Sequence, residues 1–224
     1  MPLGVLMAAL YAPTLADCDH VQESGCQTVP LAQKIFYFHV PAAFGAYAAL
    51  LVLAVASYMA LSGNPAWWDA LAVSSAEVGV LFAALTLLSG SLWGHLEWGS
   101  DFGYWSNSDV KLVLTLILFL VYAAYLILRR QLDDPDVRAR VSAVYALLGF
   151  VTVPLSYAAQ RVWEQSRHPT VFASPDPSAG LVTPGVEEAF LVNTAAFLAL
   201  TAFLIAVRVR AELRVREKAE VRHD

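Results

Sequence analysis

Five apolar stretches organise the chain: residues 35–61, 70–92, 110–128, 141–163 and 189–207, each parted from the next by polar or turn-forming residues. A helix needs about 20 mostly apolar residues to cross about 30 Å of hydrocarbon at about 1.5 Å per residue. Each stretch is close to that length or longer. A sixth, residues 2–16, is only 15 residues long and marginal for a span. Within lipid the backbone must satisfy its own hydrogen bonds, which a helix does. The pattern therefore predicts an all-α fold, a polytopic membrane helical bundle of six transmembrane helices whose first is short.

Composition supports this class: 15% of the 224 residues are charged, against about 25% in soluble domains. Hydrophobic residues make up 58%, and the mean hydropathy is +0.56. No repeat or soluble segment interrupts the pattern, so residues 1–224 read as a single membrane domain. Residues 2–16 admit two other readings. A signal peptide would carry a Lys or Arg before its apolar run, and none is present. A lipoprotein leader ending at Cys18 would need a small residue where Asp17 stands. A short first helix is the expectation.

Charge adds orientation. Of the fourteen Lys and Arg residues, four lie in 129–140 and six after residue 207. Such loops stay cytoplasmic. This puts the tail 208–224 inside and the loops 17–34, 93–109 and 164–188 outside. In the tail, Glu212 and Arg216 stand four apart, as in a helix that continues beyond the membrane. The net charge of −5 is less informative than this sidedness.

The outer loops hold the chemistry. Cys18 and Cys26 lie together in the first, where a disulfide persists; a redox thiol pair or metal ligation with His20 are the other readings. His39 precedes Pro41, a residue suited to the first turn of a helix, so His39 is expected at the outer lip of the 35–61 helix. The 93–109 loop interleaves Trp93, Trp98, Phe102, Tyr104 and Trp105 with glycines, and His168 follows the 141–163 helix. Two histidines at one membrane edge, with indoles between them, suit a flat apolar macrocycle whose iron accepts imidazole. Lys34, Lys111, Arg161 and Arg167 are the candidates to meet its propionates.

Plainer readings stand beside each of these. Trp and Tyr gather at membrane interfaces without any ligand. Asp109 suits a helix N-cap, and His95 suits a polar rim. Glu77 is an intramembrane carboxylate, a functional candidate by default; its depth suggests neutralisation, a bond to Ser74 or a partner contact. Trp67-Trp68-Asp69 falls on the cytoplasmic side and reads as an interfacial anchor. An electron-transfer cytochrome b subunit would bury histidines at two depths, and His20, His95 and His223 supply no second pair. A haemless permease or assembly subunit would use the aromatics only as anchors.

The segment Lys34-Ile-Phe-Tyr-Phe-His-Val-Pro-Ala-Ala43 resembles the signature of the CcmC family, haem-handling proteins named for a tryptophan-rich WWD loop. Ser89-Gly-Ser-Leu-Trp-Gly94 and Trp98-Gly99 match the opening of that loop, and Pro154, Trp163 and His168 match the run to a second histidine. The resemblance covers about residues 31–208 in unbroken order. It implies that His39 and His168 are axial ligands of a haem b, with Trp93, Trp98 and Trp105 lining it and Asp109 and Lys111 closing the loop. It further implies delivery of haem to the chaperone CcmE, with CcmD and the transporter pair CcmA and CcmB, in the bacterial inner membrane during cytochrome c maturation. The implied role is binding and handover rather than enzymatic turnover. One departure stands out: Asp109 lacks the preceding Trp of the family pattern.

Overall fold

The computed structural model describes residue 10 and residues 30–62, 65–98, 109–162 and 185–221. Six helices follow in order: α1 (Pro30–Ser62), α2 (Pro65–Trp98), α3 (Val110–Arg130), α4 (Pro135–Gly149), α5 (Thr152–Val162) and α6 (Val186–Glu220). Taken together, α4 and α5 make one crossing, so five spans long and apolar enough to cross a membrane lie among the described residues. Apart from Leu10, the stretch 2–16 lies outside them.

The α1–α2 hairpin is the centre of the bundle. Its seam is built from small residues: Ala42, Ala46 and Ala49 on α1, Ala72, Ala76 and Ala83 on α2, all buried. Apolar surface gains nothing by leaving lipid for protein, so close backbone approach and van der Waals packing must hold such helices together. Gly79 shows how close: a Cβ there would lie 2.7 Å from Leu50 Cδ2. Around the hairpin, α3 packs on α2, α4 on α1 and α3, and α6 on both central helices.

Each outer helix shows why its sequence folds as it does. Asp109 caps α3, its Oδ1 accepting from the N–H groups of Lys111 and Leu112 at 2.9 and 3.3 Å. The buried stripe of α3 runs Leu112, Thr115, Leu118, Tyr122, Tyr125, Arg129, the three-to-four spacing of one helix face. Asp134 caps α4 in the same way, with Pro135 in its first turn. Gly185 enters α6 at φ 89°, a left-handed conformation suited to glycine.

Three boundaries differ from the sequence reading. First, α1 starts at Pro30, so Pro41 lies inside the helix and His39 sits below its end, not at its lip. Residues 31–40 contain no helix breaker, and Phe36 and Tyr37 pack against α6 by continuing the helix. Second, α2 runs on to Trp98, so Trp93, His95 and the backbone of Trp98 are helical. The Trp93–Trp98 part of the expected 93–109 loop is therefore helix, because Gly90 and Gly94 are tolerated in membrane helices. Third, the 141–163 helix breaks at Phe150–Val151. Pro154 lacks the N–H that would reach back to the Phe150 carbonyl, and it falls in the first turn of α5, where none is needed.

Candidate functional site at the His39 end

Helix direction alternates, so the start of α1, the end of α2, the starts of α3 and α6 and the end of α5 share one end of the bundle. His39 projects from α1 onto α2. Its Nδ1 lies 3.0 Å from Ser89 Oγ, and the ring rests on Gly90. A Cβ added to Gly90 would stand 2.7 Å from His39 Cε1, so only glycine leaves room for the imidazole here. Trp93 stands four residues beyond Ser89 on the same face of α2, one turn further toward this end.

Lys111 turns into the bundle. Its Nζ donates to the Ser156 carbonyl at 2.7 Å and to the Tyr47 hydroxyl at 3.3 Å, and it lies over the rings of Tyr47 and Tyr157 at 5.8 and 5.9 Å. Ser156 Oγ joins Tyr47 OH and Thr115 Oγ1, each at 3.1 Å. The network links α1, α3 and α5. It also ties the start of α3 to the short helix α5, the described element that precedes His168 in the sequence. Sequence reasoning placed Lys111 near a propionate and missed Tyr47, Ser156 and Thr115. Their only signal was polarity within otherwise apolar faces.

A second aromatic group braces this end. Phe36 stacks on Phe190 with ring centroids 5.4 Å apart, and Tyr37 meets Phe36 edge to face at 5.5 Å. Tyr37, Val186, Ala189 and Phe190 are all buried together, which fixes α6 against α1 just above His39. The sequence reading looked to indoles and overlooked these rings.

His39, Trp93, Asp109 and Lys111 are thus brought to one end of the bundle. Trp98 is placed there by its backbone. Trp105 and His168, together with Cys18, Cys26, Arg161 as a side chain and Arg167, lie outside the described residues.

A family model described as heme exporter protein C matches residues 3–224. The chain belongs to that family. Curated relatives named heme exporter protein C include one from Bradyrhizobium diazoefficiens, 35% identical over 165 residues, 74% of this chain and 59% of the relative. The chain thus spans somewhat less than two thirds of that protein's length. Another from Paracoccus denitrificans is 32% identical over 186 residues, covering 83% of this chain and 75% of the relative. One from Escherichia coli is 25% identical over 185 residues, 83% of this chain and 72% of its own.

The opposite end of this heme exporter C family member is ionic. Asp69 accepts from Arg129 through two bonds of 2.7 and 2.8 Å and from Arg216 at 2.8 Å. Both Asp69 and Arg129 are buried. Arg216 also bonds the Ala66 carbonyl at 3.2 Å and Glu212 at 3.0 Å, which bears out the four-residue spacing read in the tail. Trp67-Trp68-Asp69 is therefore more than an anchor: its aspartate clamps α2, α3 and α6 together. Glu77 pairs with Arg208 of α6 rather than with Ser74.

Proposed function

We propose that this protein binds haem at the His39 end and hands it on during the maturation of c-type cytochromes. The carrying observation is the placement of His39: an imidazole held by Ser89 and bedded on Gly90, one turn below Trp93. Haem fits that arrangement. Its iron takes equatorial nitrogens from the macrocycle and asks the protein only for axial ligands. Among the described residues no group of three or more His, Cys, Asp or Glu is assembled as a bare metal ion would need.

In this reading His39 and His168 are the axial ligands of a haem b, and Trp93, Trp98 and Trp105 wall its faces. Asp109 caps α3 and so fixes where that helix begins. Lys111 supplies positive charge near the propionates. The basic residues of the α3–α4 connection and of α6 crowd the other end, so the positive-inside rule turns the haem site outward from the bacterial inner membrane. A ligand site at a helix end is reachable by a partner. That suits delivery to a haem chaperone of the CcmE kind, with CcmD and the CcmA–CcmB pair as companions.

The test is spectroscopic. Purified protein supplied with haem should show a low-spin bis-imidazole spectrum that His39→Ala and His168→Ala each weaken or alter. Unchanged spectra and unchanged cytochrome c assembly in both variants would remove the assignment.

A further inference from the structure

We propose that Ser89 is a positioning residue that fixes His39 in the Nδ1–H tautomer and so presents Nε2 to the iron, an inference that rests on the haem reading above. Counting protons leads to it. Ser89 Oγ lies 2.7 Å from the Leu85 carbonyl and 3.4 Å from the Thr86 carbonyl, and 3.0 Å from His39 Nδ1. A carbonyl only accepts, whereas a hydroxyl has one proton to give. The short bond to Leu85, one turn back along α2, takes that proton. Ser89 then has only lone pairs left for His39, and the contact is made with Nδ1 carrying hydrogen and donating to the serine oxygen. Neutral imidazole bears a single ring proton, so Nε2 is the nitrogen with the electron pair.

Gly90 makes the assignment directional. A Cβ there would lie 2.7 Å from Cε1 and nearly equidistant from Nδ1 and Nε2, at 3.4 and 3.5 Å. The Cε1 corner of the ring therefore abuts the glycine, with Nδ1 on the Ser89 flank and Nε2 on the other. Two neighbouring residues thus act in concert, Ser89 selecting the tautomer and Gly90 setting the position of the ring.

The acceptor matters as much as the geometry. Metal-ligating histidines commonly donate their second N–H to a carboxylate, carbonyl or water, which orients the ring and raises its basicity. A serine hydroxyl already committed to Leu85 is a neutral acceptor. It aligns Nε2 and pushes the imidazole toward imidazolate less than a carboxylate would, which suits a ligand that must later let go. Free histidine favours the Nε2–H form, so the protein here works against the intrinsic preference.

The experiment needs no turnover. Ring-nitrogen NMR of 15N-histidine-labelled, haem-free protein, at a pH well above about 6.5, reads the tautomer, with His39→Ala identifying the signals. Wild type should show a protonated Nδ1 and an unprotonated Nε2. Ser89→Ala, which deletes one hydroxyl from a helix, should move His39 toward Nε2–H. It should also weaken haem binding by roughly 10- to 100-fold, the usual range for loss of an outer partner, and raise the midpoint potential of the bound haem. Ser89→Thr keeps a hydroxyl and should restore all three. A wild-type Nε2–H tautomer, or Ser89→Ala protein with unaltered nitrogen signals and affinity, overturns the proposal. Haem binding with an unchanged spectrum in His39→Ala overturns the haem reading instead, and the two failures are separable because the tautomer is measured without haem.

Discussion

At the Asp69 end, three arginines (129, 208 and 216) meet three carboxylates (69, 77 and 212) in direct pairs. At the His39 end, the imidazole meets a serine hydroxyl, and the Lys111 ammonium meets a carbonyl, a tyrosine hydroxyl and two rings. The chemistry of the partners differs, and with it the purpose. Paired charges cancel and lock helices; a bidentate arginine–carboxylate pair adds fixed geometry. Hydroxyls, carbonyls and rings orient a group through weaker, neutral contacts. One end is joined by ion pairs across three helices, and the other by neutral polar and aromatic contacts.

The hardest way to break that contrast is to unpair the buried aspartate. Asp69→Ala leaves Arg129 buried without its carboxylate, which should cost about 3–5 kcal/mol, seen as a lowered unfolding midpoint in detergent. Replacing both partners with apolar residues, Asp69→Leu with Arg129→Met, should recover most of the loss. His39→Ala should leave the same midpoint close to wild type. An equal fall in both single variants would erase the distinction between the ends.

Gly90→Ala probes the other end more gently. The added methyl collides with His39 Cε1, so overpacking should cost about 1–3 kcal/mol, and haem titration should show weaker binding as the ring is displaced. Wild-type affinity in this variant would mean that the imidazole has room to spare. Next in size is Tyr47→Phe, which removes the hydroxyl shared by Lys111 and Ser156. A hydrogen bond to a charged group is worth about 1.5–3 kcal/mol, so a loss near the lower figure is expected by chemical denaturation, because Lys111 retains the Ser156 carbonyl. The smallest effect belongs to Glu77→Gln. Glutamine keeps a side-chain oxygen to accept from Arg208, and the side chains of Glu77 and Arg208 are only part-buried, at 34% and 39% exposed. The loss should therefore fall well below that of Asp69→Ala. A loss as large as that of Asp69→Ala would place Glu77 in the locking core after all.

Much of this was legible in the sequence, and unevenly so. The five described spans appear where apolar length put them, and the Glu212–Arg216 spacing gave the helical tail. Asp109 caps α3 as its residue type suggested. Helix ends were read less well. The 93–98 segment, with its tryptophans, glycine, histidine and glutamate, resembled loop, yet it continues α2. Helix α1 begins five residues before the apolar run, at Pro30. Arg129 was counted as a loop cation because a charge at the end of an apolar run suggests solvent. Its place on the α3 stripe, four residues after Tyr125, was the overlooked sign.

The chain alone settled its class, the five described spans and the distribution of its basic residues along the chain, because apolar length and charge are properties of contiguous residues. Only the packed bundle decided that His39 meets Ser89, fifty positions away, and that Asp69 meets Arg216, separated by 147. Those partnerships depend on which faces of distant helices touch. That is governed by small residues such as Gly79 and Gly90, which let backbones or rings approach, and no local pattern of hydrophobicity records it.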